Sequence, residues 1–451
     1  MENKYDVVIV GAGPAGMFCA FELVKLNKKL KIGLLEDGPR LEGRNGGDVM
    51  SGFGGAGTYS DGKLQFTPKL SHERVFHLIE PEKYQDILDY IDGIFMNFGV
   101  EAVSYPRNPD EVKMLVEEAQ KRNIELIVRR AKHVGTDNLR KVIGKFENHL
   151  EQSGVELVTD CRVEDLWIED GKLMGVETKK NGKIGAGKVV LAPGRIGARW
   201  LQELGDKRGI KYQYDMVEVG VRVEFPAAVM QRYAEALYEI VLKIRTKTYD
   251  DVMRTFCTCP KGFVAVEEYQ GYVCVNGHSY SSHDSENSNF AFVCEVHLTE
   301  PVENSIAYAE SIARLASTIG GGKPLLQRLE DLRRGRRSTW SRLKKSIVRP
   351  SLTDVTPGDI SMALPHRIVT NIIEGLEKLD EVMPGINSGS TLLYAPEVKF
   401  RSSKVTTKPD MQTSVPNVYV AGDASGLSGT ITGAAATGIM AARGIAANMK
   451  T

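Results

Sequence analysis

Tyr5-Asp6-Val7-Val8-Ile9-Val10-Gly11-Ala12-Gly13-Pro14-Ala15-Gly16 is the stretch that decides how this chain folds. Its apolar first half reads as a buried parallel strand. Met17-Phe18-Cys19-Ala20-Phe21-Glu22-Leu23-Val24 reads as a helix. Leu30-Lys31-Ile32-Gly33-Leu34-Leu35 reads as a second strand that ends in Glu36, 20 residues after Gly16. Strand, glycine turn, helix, strand and acid together make a complete dinucleotide fingerprint, which a lone G-x-G-x-x-G does not. Gly11 permits the tight turn, Gly13 lets backbone approach a pyrophosphate, and Gly16 lets helix and strand pack closely. Pro14 and Ala15 in the same turn are expected to bind the cofactor, and the helix N-terminus offers free N–H groups and the positive dipole end to phosphates. Glu36 is placed to accept hydrogen bonds from ribose hydroxyls.

Outward from this unit, the 451 residues suffice for two or three domains. The 58 Lys+Arg balance the 58 Asp+Glu, which argues against a general nucleic-acid or membrane-surface binder but leaves room for a local basic patch. The six cysteines lack metal or disulfide-framework spacing; only Cys257 and Cys259 are close, as C-x-C. They read as reduced structural thiols of a cytoplasmic protein, with no metal site. The first strand begins by residue 5, leaving no room for a signal peptide, and no apolar run reaches the ~18 residues that span a bilayer.

Residues 86–99, 109–123 and 137–153 have helical periodicity, with starts at Asn108-Pro109 and Asp137. Val155–Ile168, Lys172–Thr178 and Ile184–Leu191 read as three strands of a meander, turned at Asp170-Gly171 and Asn181-Gly182. The meander ends in Leu191-Ala192-Pro193-Gly194-Arg195. A second excursion mixes strands (217–225, 262–266, 271–275, 290–297) with helices (303–318, 366–378). It returns through Asn417-Val418-Tyr419-Val420-Ala421-Gly422-Asp423, and a helix of small residues, about 431–448, closes the chain.

The strand-helix-strand unit, the Ala-Pro-Gly turn and the Ala-Gly-Asp segment together resemble the FAD-binding domain of the glutathione-reductase-like flavoproteins. More closely, the chain resembles the poorly characterised FAD-dependent dehydrogenases, over nearly its whole length. That likeness rests on Gly52-Phe53-Gly54-Gly55-Ala56-Gly57-Thr58-Tyr59-Ser60-Asp61-Gly62-Lys63-Leu64 and on Val219-Gly220-Val221-Arg222-Val223-Glu224. It rests also on Cys259-Pro260, Val275-Asn276-Gly277-His278-Ser279 and Pro396-Glu397-Val398-Lys399. The Ala421-Gly422-Asp423-Ala424-Ser425-Gly426 segment also resembles prenyl-chain (geranylgeranyl) reductases. The resemblance implies an α/β fold, with a discontinuous Rossmann-like FAD-binding domain of parallel sheet plus three-stranded meander and an inserted α+β substrate domain. The FAD-binding parts are 1–66, 155–204 and 396–451. Residues 67–154 form a helical excursion and 205–395 the substrate domain. The cofactor is FAD. Asp423 beside Gly422 would hold its ribityl or pyrophosphate portion, Val163 its adenine, and Ala192 and Gly194 the return turn beside it.

Residues 52–57 also spell G-x-G-x-x-G, but no clean strand precedes them and no helix follows, so they are not a nicotinamide fingerprint. Gly55, Ala56 and Gly57 read instead as a backbone loop near the isoalloxazine or pyrophosphate. Gly429, Thr430 and Ile431 open the last helix and are expected at the flavin pyrimidine ring, where a helix N-terminus favours the anionic reduced form. His278 is a candidate proton relay and Lys63 a candidate neighbour of the flavin. Glu397 and Lys399 either line the active-site mouth or form an ion pair with no catalytic duty. Residues 333–349 carry eight cations and no acid. Within them Arg336 and Arg337 are expected at the flavin cleft or its entrance, taking an anionic substrate or an acidic electron carrier such as ferredoxin. The reading is an FAD-dependent oxidoreductase exchanging a hydride with a small organic substrate, with at most a transient NAD(P)H and no nucleic acid. The alternatives are a flavoprotein acting on RNA and a non-catalytic flavin-bound sensor or scaffold.

Overall fold

The computed structural model describes residues 4–45, 50–59, 62–269, 271–280, 283–298, 304–399 and 403–449. Ser60 and Asp61 of the Gly52–Leu64 run lie outside the described residues. The chain divides into two compact units. The first comprises Met1–Ser104, Arg130–Asp215 and Ser402–Thr451, and the second Tyr105–Arg129 and Met216–Arg401.

In the first unit, β1 (Tyr5–Val10) pairs in parallel with β2 (Ile32–Leu35) on one side and with the strand Gly182–Leu191 on the other. Glu156–Val158 extends the sheet beyond β2, and Val418–Val420 pairs in parallel with Gly182–Leu191. That strand also starts the antiparallel meander through Lys172–Thr178 to Val163–Glu169. The expected strand 155–168 is therefore two strands. Asp160 adopts φ +51°, and the backbone N–H groups of Asp160 and Cys161 donate to the Gly38 and Glu36 carbonyls. The chain turns there to leave the parallel sheet and enter the meander. Both expected turns hold, with Asp170, Gly171 and Gly182 at positive φ.

Helix α1 (Pro14–Leu26) lies against the closing helix Ile431–Asn448. A Cβ on Gly438 would sit 2.1 Å from the Ala15 carbonyl oxygen, so only glycine lets the two helices approach this closely. Residues 67–154 are not a separate helical excursion. Phe18 of α1 packs on Phe95 at 5.2 Å and on Phe146 at 5.0 Å, and Phe98 meets Phe146 at 4.5 Å. These rings join α1 to the helices Pro81–Asn97 and Thr136–Gln152 in one apolar core. Residues 105–129 go instead to the second unit. There Val112, Leu115 and Ala119 of the helix Pro109–Gln120 enter that unit's core, and Glu125–Ile127 supplies an edge strand.

The second unit is built on an eight-stranded sheet. Its order is Thr356–Pro357, Leu325–Arg328, Leu392–Lys399, Val217–Pro226, Asn287–Val296, Val252–Cys259, Val241–Arg245 and Glu125–Ile127. Because Leu392–Lys399 pairs along Val217–Pro226, residues 396–399 belong here and not to the dinucleotide-binding part. Along Val217–Pro226 the alternation is strict. Val217, Val219, Val221, Val223 and Phe225 join the apolar core with the helices Ser305–Gly320 and His366–Leu379. The intervening Glu218, Arg222 and Glu224 are buried too, on the opposite face.

Candidate functional site

A cavity of about 440 Å³ sits at the carboxyl ends of the first unit's parallel strands, the position where open α/β sheets bind ligands. Val10, Gly11, Gly13, Pro14 and Ala15 line it from the fingerprint, Leu35 and Glu36 from β2, and Gly55, Ala56 and Gly57 from the second glycine loop. Cys161, Arg162 and Val163 line it from the meander start, Ala192, Gly194 and Arg195 from the return turn, and Gly422, Asp423, Gly429, Thr430 and Ile431 from the C-terminal segment. The structure thus brings together every residue expected to bind cofactor except Gly16. Gly16 lies behind the wall, where a Cβ would meet the Gly11 carbonyl oxygen at 1.9 Å.

The fingerprint glycines differ in what surrounds them. Gly11 has φ +100°, and a Cβ on it would lie 2.2 Å from the Ala192 carbonyl oxygen. Its glycine is needed by the fold. A Cβ on Gly13 would find nothing nearer than the Gly55 Cα at 3.9 Å. The space above Gly13 is open, which fits a ligand chain passing over the start of α1. Two helix N-termini reach the cavity, those of α1 and of Ile431–Asn448, with Arg162 and Arg195 in the wall. Both provisions suit a pyrophosphate. The volume lies within the roughly 300–1,000 Å³ usual for ligand pockets.

Glu36 has an added duty that sequence does not reveal. Its Oε2 accepts from the Ala12 N–H at 2.8 Å, and its Oε1 accepts from the N–H groups of Gly52 (2.8 Å) and Gly38 (3.1 Å). One carboxylate thereby ties both glycine loops to the end of β2, and it keeps a lone pair for a further donor. Arg44 clamps the second loop from beneath. Its Nη1 donates to the Phe53 and Gly55 carbonyls at 2.7 and 2.9 Å and to Thr58 Oγ1 at 3.0 Å. Asp423 accepts from Arg195 Nε at 2.9 Å at the cavity wall.

At the other end, Thr430 caps its helix, its Oγ1 accepting from the Gly433 N–H at 2.9 Å. Behind it His72 is fully buried, with Nε2 3.2 Å from Thr430 Oγ1 and Nδ1 2.9 Å from the Tyr84 hydroxyl. No signal in the sequence singles out His72, because its partners come from residues 12 and 358 positions away. Two further residues, Lys63 and His278, are expected to do proton chemistry. Lys63 pairs with His133 in a strand ladder and does not line the cavity. His278 ends the strand Tyr272–His278 of the second unit, exposed, with its ring 4.5 Å from that of Tyr280. Neither side chain is among those lining the cavity.

The second unit gathers its charges on the polar face of the sheet. Arg222 is fully buried and acts as a hub. Its Nε donates to Asn289 Oδ1 at 2.8 Å, Nη2 donates to the Cys257 carbonyl at 2.7 Å and to Cys259 Sγ at 3.3 Å, and Nη1 lies 3.6 Å from Glu397 Oε2. Lys399 Nζ stands 2.5 Å from Glu397 Oε1, off the angle a hydrogen bond needs. Both oxygens of Glu397 and Asn289 Nδ2 therefore have no hydrogen-bond partner among the described residues, although both side chains are fully buried. Burial pushes the Glu397 carboxyl above its usual range, against the pull of Lys399 and Arg222. Burial acts downward on Lys399, but the charges of Glu397 and Glu267 outweigh it and hold the ammonium form. Further along the same face, Arg254 donates to Glu218 twice, at 2.5 and 2.6 Å, and the Tyr394 hydroxyl donates to Glu224 at 2.5 Å.

The basic segment is less available than its sequence implies. Asp331, fully buried, accepts from Arg336 Nε at 2.8 Å, from Arg328 Nε at 3.2 Å and from Ser338 Oγ at 2.8 Å. Arg334 pairs with Glu330, and Arg349 donates to the Lys344 carbonyl. Arg336 is thus a structural cation, a correction to its expected role as a recruiting residue, while Arg337 stays exposed.

Comparison with known proteins adds the chemistry. Residues 6–226 match the family model described as FAD dependent oxidoreductase, 216–400 that of FAD-dependent protein, C-terminal domain-like, and 350–451 that of Glucose inhibited division protein A. A protein of Clostridium beijerinckii (strain ATCC 51743 / NCIMB 8052), described as an uncharacterized protein, is 25% identical over 98% of this chain and 81% of its own length. Among solved structures, the glycine oxidase of Bacillus cereus ATCC 14579 is 12% identical, with 99% of this chain and 96% of that one covered at a TM-score of 0.40. An L-amino acid deaminase of Proteus vulgaris, with its specific insertion deleted, is 16% identical over 50% of this chain at a TM-score of 0.31. The match spans 62% of that protein's length.

Proposed function

We propose that this chain, an FAD-dependent oxidoreductase, holds the dinucleotide in the cavity of its first unit and exchanges a hydride with a small polar organic substrate. One observation carries the reading: a single cavity unites the fingerprint, Glu36, the second glycine loop and the N-terminus of the last helix. In it Gly13 and the start of α1 would take the pyrophosphate, Glu36 a ribose, Val163 the adenine side and Thr430 with its neighbours the flavin side. Bound FAD supplies the hydride acceptor or donor.

In the second unit, the Arg222 hub presents acceptors on Glu397 and a donor on Asn289. That set suits a small hydroxyl or amino group, and Lys399 and Arg222 hold Glu397 in place. The test is anaerobic mixing of the purified holoenzyme with a panel of small alcohols, hydroxy acids and amines, following bleaching of the flavin. At least one compound should reduce it. Protein that carries no FAD would remove the reading altogether. Holoenzyme that no compound of the panel reduces would remove the hydride exchange and leave the cofactor site standing.

A further inference from the structure

In the segment 336–349 some side chains are fixed and others are bare. Leu343 and Val348 enter a small apolar core with Leu326, Leu392 and Tyr394, and the Ser346 hydroxyl donates to the Ser390 carbonyl at 3.3 Å. Arg336, Arg342 and Arg349 are spent on Asp331 and on backbone carbonyls. What remains outward is of two kinds. Arg337, Lys344 and Lys345 are exposed and have no side-chain partner among the described residues, and no acid occurs between residues 332 and 353. Ile347 is 85% exposed and Trp340 45%. Trp340 stands one helical turn before Lys344, whose N–H donates to the Trp340 carbonyl at 2.9 Å. The adjoining segment adds Met362, 65% exposed, and is joined to the first by the Ser338 N–H donating to the Gly358 carbonyl at 2.9 Å.

We propose that this surface is a peripheral membrane anchor that docks on an anionic lipid bilayer. An aliphatic side chain exposed to this extent, seven residues from an exposed indole and near unpaired cations in the chain, matches what the boundary between headgroups and acyl chains accepts. Lipid phosphates neutralise Arg337, Lys344 and Lys345, and the acyl region takes Ile347 and the ring of Trp340. An acidic protein would satisfy the cations and leave the apolar side chains to find a groove. An RNA would find one aromatic ring for stacking. The chain's balanced total charge is no obstacle, because attraction of this kind acts within a Debye length of the surface.

The test uses the full-length holoenzyme in co-sedimentation with phosphatidylcholine vesicles, with and without phosphatidylglycerol. Binding should require phosphatidylglycerol, weaken with added salt, and fall about fivefold for each of Lys344→Ala and Lys345→Ala. Ile347→Ser should weaken it at low salt as well, and the tryptophan emission should shift to the blue on binding in the parent but not in Trp340→Phe. FAD content and the flavin spectrum of each variant report that the fold is intact. Equal binding to both vesicles, none to either, or vesicle binding unchanged by Ile347→Ser would overturn the proposal. So would retention on an acidic protein or single-stranded RNA without retention on vesicles, which would give the surface to that partner.

Discussion

Around the cavity of the first unit the polar groups are largely backbone. Two helix starts and two glycine loops line it, and one carboxylate, Glu36, ties the loops together. On the polar sheet face of the second unit the polar groups are side-chain charges, buried in pairs and threes: Glu218 with Arg254, and Arg222 with Glu397 and Lys399. The two constructions fail differently. A backbone site depends on the absence of Cβ atoms and, here, on the one carboxylate that ties its loops. A site of buried charges depends on every partner, because a charge stripped of its counter-ion remains in a medium that cannot solvate it.

The largest expected effect lies in the second unit. Arg222→Met should lower stability by about 3–5 kcal/mol, since it leaves Glu397 and Asn289 buried with fewer partners. Urea unfolding with FAD content measured alongside is the check. A loss under 1 kcal/mol would mean that water or a ligand already solvates this face.

Next comes the fingerprint, where two glycines should separate cleanly. Gly11→Ala should cost roughly 3 kcal/mol, from a clash with the Ala192 carbonyl and the positive φ together. Gly13→Val should change stability by under about 1 kcal/mol yet yield colourless protein, because its side chain would fill open cavity space. Yellow Gly13→Val protein would move the ligand path away from α1.

Asp331→Asn should cost about 2 kcal/mol near neutral pH, through weakened charged hydrogen bonds to Arg336 and Arg328. Burial pushes the Asp331 carboxyl up, but Ser338 and the two arginines outweigh it and hold the group below its ordinary 3.8. A depressed carboxyl stabilises the fold above its unfolded value, and the contribution disappears as pH falls through the folded one. The gap between parent and variant melting temperatures should therefore narrow below about pH 3.8. A gap that widens in acid would reverse the sign of this interaction. The smallest effect is expected for Arg195→Ala. Its partner lies at the cavity wall and its own side chain is half exposed, so stability should move by under about 0.5 kcal/mol, with a modest change in FAD retention.

The sequence by itself determined the dinucleotide unit and most of its lining. Glycine at a fixed spacing, between an apolar run and a helix, has few other uses, and the requirement it meets is local. The same locality made the hairpin turns at Asp170-Gly171 and Asn181-Gly182 legible. Tertiary structure alone decided the rest. It broke 155–168 into two strands, drew 67–104 and 130–154 into the first core through Phe95, Phe98 and Phe146, and gave 105–129 and 396–399 to the second unit through strand pairing. It also turned Arg336 inward to Asp331, buried Arg222 with Glu397, and set His72 behind Thr430. The reason is common to all of these. A charged or aromatic residue reads the same in sequence whether it meets solvent or a partner hundreds of residues away, and only the packing of distant strands decides which.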